Sequence, residues 1–186
     1  MLSGTKMIFI SNPSNPTGRV LPEKEIRSLA RIAQEQGLLL IVDEVYYKYL
    51  YGGIKHFSIC QKALVTCPNT VAQRACIAAI KGSQDCVESM RKEYERRKRL
   101  VEQRLKGMER LSTSACEGAF YFFPRFQHSF TSREMTDYLF AKGILVRSGT
   151  EFGANGQKHF RISFATSIEK LEAGMEGLKR ALDELG

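Results

Sequence analysis

Tryptophan is absent and proline occurs only 5 times in 186 residues. No apolar run reaches the roughly 18 residues of a membrane-spanning helix, so no transmembrane helix and no membrane partner are expected. The opening residues, Met1-Leu2-Ser3-Gly4-Thr5-Lys6, carry neither an apolar signal core nor a small-residue cleavage site, and they read as the approach to a strand. Cysteine is scarce and odd in number: Cys60, Cys67, Cys76, Cys86 and Cys116, with no C-x-x-C spacing. That pattern argues against a disulfide framework and a zinc knuckle, and fits a reducing, cytoplasmic setting. His56, His128 and His159 are scattered. A metal site from His56, Cys60 and Cys67 competes poorly with ordinary thiols and a surface histidine. Internal repeats and low-complexity tracts are also missing.

Basic residues are in excess, 28 against 20 acidic, for a net charge of +8. The densest cluster, Arg91 to Arg99, contains Glu93 and Glu95 and sits on a predicted helix, so it reads as a solvated helix face. No strand carries the paired stacking aromatics of an RNA reader, and no nucleic-acid partner is expected.

Met7 to Ile10 is a short apolar run suited to a strand buried on both faces. Pro22 opens a helix, with Glu23 and Glu25 at the positive end of its dipole. Ile26, Leu29, Ala30 and Ala33 give that helix one apolar face, and Gly37 ends it in the left-handed cap position. Leu38 to Val42 is a second buried strand. A strand–helix–strand crossover makes the two strands parallel.

Downstream, helices are expected over 69–82, with Ala72, Ala75, Cys76, Ala79 and Ile80 on one side, and from a Ser83 cap to about Gly107. Ala119 to Phe123, Ile144 to Val146 and Phe160 to Ala165 read as strands. Thr131-x-x-Glu134 and Thr166-x-x-Glu169 read as capping boxes opening two more helices. The fold class is therefore α/β. Composition changes near residue 82, which divides the chain into 1–82, buried parallel-sheet material, and 83–186, a helix followed by strands and helices of a two-layer α/β type.

Two motifs follow the two parallel strands: Asn12-Pro13-Ser14-Asn15-Pro16-Thr17-Gly18 and Asp43-Glu44-Val45-Tyr46. In an open parallel sheet, ligands bind beyond the carboxyl ends of the strands. Asn15, Asp43 and Tyr46 thus bring an amide, a carboxylate and a phenol to one edge, a trio suited to an electron-poor ring cofactor. Each residue also has an ordinary reading. Asn-Pro-Thr-Gly is a turn, an aspartate after a buried strand often caps a helix, and Tyr46 lies among other tyrosines. Arg161, taken alone, is a solvent-facing strand residue.

Together these motifs resemble the class I/II pyridoxal-phosphate-dependent aminotransferases, the fold-type-I group that includes aspartate and aromatic aminotransferases. Gly118-Ala119-Phe120-Tyr121 and Phe160-Arg161-Ile162-Ser163-Phe164-Ala165 resemble the family's small domain, so the resemblance implies that 1–82 is the remnant of a parallel-sheet large, cofactor-binding domain and 83–186 the two-layer α/β small domain. The resemblance implies pyridoxal 5'-phosphate as cofactor. Asn15 and Tyr46 would bond its ring oxygen, Asp43 would pair with its ring nitrogen, and Arg161 would grip the substrate α-carboxylate. It further implies α-amino acid and α-keto acid substrates and a homodimer.

Against that family two parts are missing. An N-terminal portion would precede Met1, and a second gap falls near Gln61-Lys62. There the family carries Ser-x-Ser-Lys and Gly-x-Arg, the Schiff-base lysine and phosphate-binding groups. Lys62 has no preceding serine and no following Gly-x-Arg, so no catalytic residue is assigned. The expectation is an aminotransferase-family chain that is inactive or impaired in this shortened form. The alternatives are a non-catalytic binding or dimerisation module, or another pyridoxal-phosphate reaction such as carbon–sulfur elimination, decarboxylation or racemisation. A sheet lacking its neighbours should also leave Met7 to Ile10 and Leu38 to Val42 poorly protected unless a partner chain covers them.

Overall fold

A computed structural model of the chain describes residues 4–58 and 70–185. Lys62, Cys60 and Cys67 lie outside the described residues. The N-terminal part is the expected crossover. Strand β1 (Met7–Ser11) leads through helix α1 (Glu23–Glu35) to strand β2 (Leu39–Asp43). The strands pair in parallel, with Met7 beside Leu39, Phe9 beside Ile41 and Ser11 beside Asp43. Pro22 precedes α1, and Gly37, at φ 61°, turns the chain out of it. Ile26 and Ala33 are buried on the inner face of α1, which packs against β2.

Burial of this sheet departs from the sequence expectation. Ile8, Ile10, Leu40 and Val42 are half-buried. The other face is open, with Phe9 63% exposed, Met7 48% and Leu39 43%. A parallel sheet becomes a two-sided core only when helices cover both faces, and among the described residues the second cover is lacking. Helix α2 (Thr70–Lys81) is its counterpart: Ile77 is 50% exposed and Ile80 78%.

The remainder is a closed core. Helices α3 (Asp85–Lys106), α4 (Ser132–Ala141) and α5 (Ile168–Asp183) surround short strands. β3 (Leu111–Ser112) pairs with β5 (Arg125–Phe126). β4 (Tyr121–Phe122) and β6 (Arg147–Ser148) flank β7 (Phe160–Ser163), all antiparallel. Val101, Leu105, Phe122, Met135, Leu139, Phe160, Phe164 and the α5 stripe Leu171, Met175, Leu178 and Leu182 bury together. Tyr51, from the N-terminal part, belongs to the same cluster.

Several local expectations need correction. The strand read at Ile144 to Val146 falls instead at Arg147–Ser148, because Gly143 ends α4 in a positive-φ turn and Ile144 N–H still bonds back to Leu139 C=O. The cap of α5 is Ser167, whose hydroxyl accepts from Lys170 N–H, so Thr166-x-x-Glu169 is one residue out of phase. Gln84 rather than Ser83 precedes α3, although the Ser83 hydroxyl accepts from Asp85 N–H. Ala119 sits at φ 58°, which delays the strand there to Tyr121. The capping box Thr131–Glu134 forms as read, with both reciprocal bonds. No described helix is long and apolar enough to cross a membrane.

Candidate active site

The loop after β1 is fixed before it presents anything. Asn12 N–H donates to Asp43 C=O (2.9 Å), extending the β1–β2 ladder by one step. The fully buried Asn12 side chain accepts Leu21 N–H at Oδ1 (2.8 Å). Ser14 N–H reaches Arg19 C=O, and Gly18 N–H reaches Ser14 C=O. The loop is thereby closed on itself and holds Asn15 at its exposed tip.

Its far side is sewn to the segment before β4. Glu117 and Gly118 N–H both donate to Gly18 C=O (2.9 and 2.8 Å), and Glu117 Oε2 accepts Val20 N–H (2.8 Å). A Cβ on Gly18, at φ 68°, would lie 2.9 Å from Cys116 Sγ, and one on Gly118 would lie 2.8 Å from Pro13 Cγ. Both glycines are therefore required by close backbone approach. On the third side, Ala119 N–H donates to Tyr49 C=O, and the Tyr51 hydroxyl donates to Ala119 C=O at 2.6 Å. Burial pushes the Cys116 thiol at this seam up to about 12, so it stays a neutral packing group.

This stitching brings distant residues together. Arg161 Nη1 donates to Asn15 Oδ1 at 2.9 Å, across a sequence separation of 146. The guanidinium lies against two rings, 4.4 Å from the centroid of Tyr121 and 5.0 Å from that of Phe152, cation–π contacts that restrain it. Its Nε is buried with no hydrogen-bond partner. An oriented guanidinium with a donor unspent matches a carboxylate, which accepts two parallel N–H bonds.

The Tyr46 hydroxyl is 2.9 Å from that of Tyr121, and its ring stands edge-on to Phe120 (5.1 Å) and Tyr121 (5.7 Å). Burial first, and then the hydrogen bond with Tyr121, raise the Tyr46 phenol well above its ordinary range, with Arg161 pulling the other way. Tyr46 is thus a neutral phenol at physiological pH. Asp43 ends β2, and its Oδ1 accepts Val45 N–H at 3.1 Å, which turns the chain and directs the carboxylate. Glu44 serves the adjoining loop instead: its two oxygens meet His56 Nε2 (3.0 Å) and the Ser58 hydroxyl (2.6 Å).

The structure places Asn15 and Arg161 in direct contact, links Tyr46 to Arg161 through Tyr121, and sets Asp43 at the same sheet edge. Sequence reasoning did not assign Tyr121 or Phe152. Tyr121 stood in the Gly118–Tyr121 segment, where its role was signalled only by its neighbours. Phe152 lies in the short 3₁₀ turn Gly149–Phe152, and no local pattern marks it.

Comparison with known proteins points the same way. The sequence pattern of aminotransferase class I and II matches residues 2–67 and 58–178. The chain is 34% identical to an aspartate aminotransferase of Pyrococcus abyssi and 33% identical to an aromatic-amino-acid aminotransferase of Thermococcus litoralis, in each case over 97% of this chain and 58% of the relative. It superposes on an aromatic aminotransferase from Pyrococcus horikoshii with a TM-score of 0.89 and 32% identity, covering 99% of this chain and 61% of that one. The chain thus spans little more than half the length of the curated relatives it matches. The alignment with the Pyrococcus abyssi protein runs over 226 positions against 186 residues here, so at least 40 internal positions of that relative have no counterpart. The two family matches meet at 58–67, where the sequence also shows its gap. The architecture is part of the fold type I aminotransferase fold, and the chain belongs to the class I and II aminotransferases.

Proposed function

We propose that the chain carries the ring-holding and carboxylate-holding half of an aminotransferase site. Members of the family use pyridoxal phosphate. The residues present fit part of that group. Asn15 and Tyr46 would hydrogen-bond the ring oxygen, Asp43 would pair with the ring nitrogen, and Arg161 would hold the α-carboxylate of an amino or keto acid. The observation that carries this reading is Arg161, steered by Asn15 and two rings with its Nε unsatisfied. When bound, the cofactor would supply an electron sink for the substrate α-carbon. Asp43 would keep the ring protonated, Tyr46 and Asn15 would set its tilt, and Arg161 would orient the substrate.

Moving the α-proton needs a base, and no residue of this chain is assigned that role. The whole-family reaction, exchange of an amino group between an α-amino acid and an α-keto acid, is accordingly proposed as impaired or absent in this chain. The internal gap of at least 40 positions favours a second reading, a non-catalytic binding or dimerisation module. Carbon–sulfur elimination or decarboxylation would use the same ring-holding residues. A homodimer, a cytoplasmic setting, the absence of nucleic-acid and membrane partners, and the division into 1–82 and 83–186 complete the proposal.

The test is a titration with pyridoxal phosphate, followed by borohydride reduction and peptide mapping. Saturable binding, weakened at least tenfold by Asp43→Ala, supports the reading. A reduced adduct on one lysine would add an imine-forming residue to it. Absence of saturable binding would remove the cofactor role of Asn15, Asp43 and Tyr46.

A further inference from the structure

A polar side chain buried in a core is there for its hydrogen bonds. Asn12 uses its own to fix the loop after β1. Ser132 and Ser148 are also buried and take no part in that loop. Ser132 is the first residue of α4, and its Oγ meets three groups. Gly149 N–H donates to it (2.6 Å), it donates to His159 C=O (2.7 Å), and Ser148 Oγ lies 2.7 Å away. A hydroxyl has one proton and two lone pairs. With the proton directed at His159 C=O, Ser148 donates to Ser132, and Thr150 Oγ1, 2.9 Å from Ser148 Oγ, donates in turn. Every hydrogen-bonding position of Ser132 is then filled.

Its two backbone partners lead to the candidate site. Gly149 opens the 3₁₀ turn Gly149–Phe152, and His159 precedes β7, which carries Arg161. Gly149 offers no side chain to hold the turn by, and a Cβ there would collide with Gly156 C=O. One hydroxyl thus ties the turn bearing Phe152 to the strand bearing Arg161, whose guanidinium lies 5.0 Å from the Phe152 ring. His159 works from a second direction. Its ring stacks on Phe123 (4.9 Å), and Phe123 stands edge-on to Phe152 (5.8 Å).

We propose that Ser132 is a positioning residue for Arg161: it sets Phe152 against the guanidinium, so carboxylate binding at Arg161 depends on a hydroxyl at the start of α4. The inference rests on the carboxylate-holding role proposed above for Arg161. An arginine already restrained by its rings gives up little freedom when a carboxylate arrives, and a released one gives up more.

The experiment is NMR of the full chain, following the Arg161 Nε–Hε resonance, assigned by its loss in Arg161→Lys, before and during titration with pyruvate. The variants are Ser132→Ala, Thr131→Ala and Phe152→Leu. Ser132→Ala keeps the Gly149 N–H bond to His159 C=O (3.0 Å), so no backbone group of the turn's start is orphaned and the fold should hold. Thr131→Ala removes the cap of the same helix without touching Gly149 or His159, and serves as the matched control. The ring-current displacement of Hε should collapse in Ser132→Ala and persist in Thr131→Ala. The pyruvate dissociation constant should rise about three- to tenfold in Ser132→Ala and less than about twofold in Thr131→Ala. Phe152→Leu leaves the hydroxyl chain in place and should weaken pyruvate as Ser132→Ala does. Adding Ser132→Ala to it should then cost little more, because the two act as one unit. An unchanged Hε shift in Ser132→Ala, equal effects of Ser132→Ala and Thr131→Ala, or full additivity with Phe152→Leu would each overturn the proposal. Pyruvate that fails to bind the wild type would overturn the carboxylate reading instead, and the ligand-free Hε shifts alone would then uphold or overturn the placement of Phe152 by Ser132.

Discussion

The two ends of this chain are built from similarly apolar residues and have opposite fates. In the C-terminal part, Phe160, Phe164, Leu139 and Met135 are fully buried, and α5 turns its stripe Leu171, Met175, Leu178 and Leu182 inward. In the N-terminal part, Phe9 and Met7 stand on a strand of the expected length and pairing, yet face outward. Apolar patterning specifies a strand; burying it takes a second surface at the right distance. The C-terminal part carries its own second surface, whereas the parallel sheet depends on more chain than these described residues provide.

The contrast is broken most strongly from inside the closed core. Phe160→Ala, at a fully buried position, should cost about 3–5 kcal/mol by urea denaturation, through lost transfer energy and the cavity left behind. Phe9→Ala should change monomer stability by under about 0.5 kcal/mol, and equal losses at both sites would erase the distinction.

Next comes the seam between the parts. Gly118→Ala forces a methyl group against Pro13 and Tyr49 C=O. It should cost about 2–3 kcal/mol and speed hydrogen exchange at Tyr51 and Ala119, whose N–H groups bond across that seam. If only global stability moved and these amides kept their relative protection, the seam would not couple the parts.

A smaller effect concerns the cap of α4. Thr131→Ala should cost about 1 kcal/mol. Backbone and hydroxyl bonds from Thr131 hold the Glu134 carboxyl below its usual range. A lowered carboxyl pKa contributes stability that is present above its unfolded value and lost as pH falls through the folded one. The variant's deficit should therefore shrink as pH drops below about 4.3. A deficit independent of pH would mean that the Thr131 hydroxyl does nothing for the carboxylate, whose bond from the residue 131 backbone N–H survives the substitution.

The smallest effect is spectroscopic. Tyr121→Phe removes a hydrogen bond that raises the Tyr46 phenol. Ultraviolet titration should then show Tyr46 ionising at lower pH, while the ring over Arg161 is kept. An unchanged titration would locate the whole effect in burial.

What could be read in the sequence was mostly local. The crossover, its parallel sense, the Gly37 exit and the Thr131–Glu134 box depend on residues a few positions apart, and all are present. The α5 cap slipped by one residue because Thr166 and Ser167 are chemically near-equivalent and only the path of the entering chain chooses between them. The site residues were found through motif order, but their working partners were not. Tyr121 matters because it touches Tyr46 and Arg161 at once, and Phe152 because it is a second ring against the guanidinium. Those contacts exist only after β4, β7 and the 149–156 segment have packed. The outward face of β1 was legible in part: its apolar pattern alone describes a strand buried on both faces, and only the missing neighbours pointed to poor cover for Met7 to Ile10.

Tyr51 has a practical consequence for anyone dividing the molecule. It is encoded before residue 82, yet its ring belongs to the C-terminal core and its hydroxyl is spent on Ala119 C=O. Separately produced 1–82 and 83–186 would be a key and its lock, one with an orphaned aromatic side chain and the other with a hole of that shape. The pair is a candidate split reporter, in which reassembly of the two pieces is read out by the return of a folded C-terminal core.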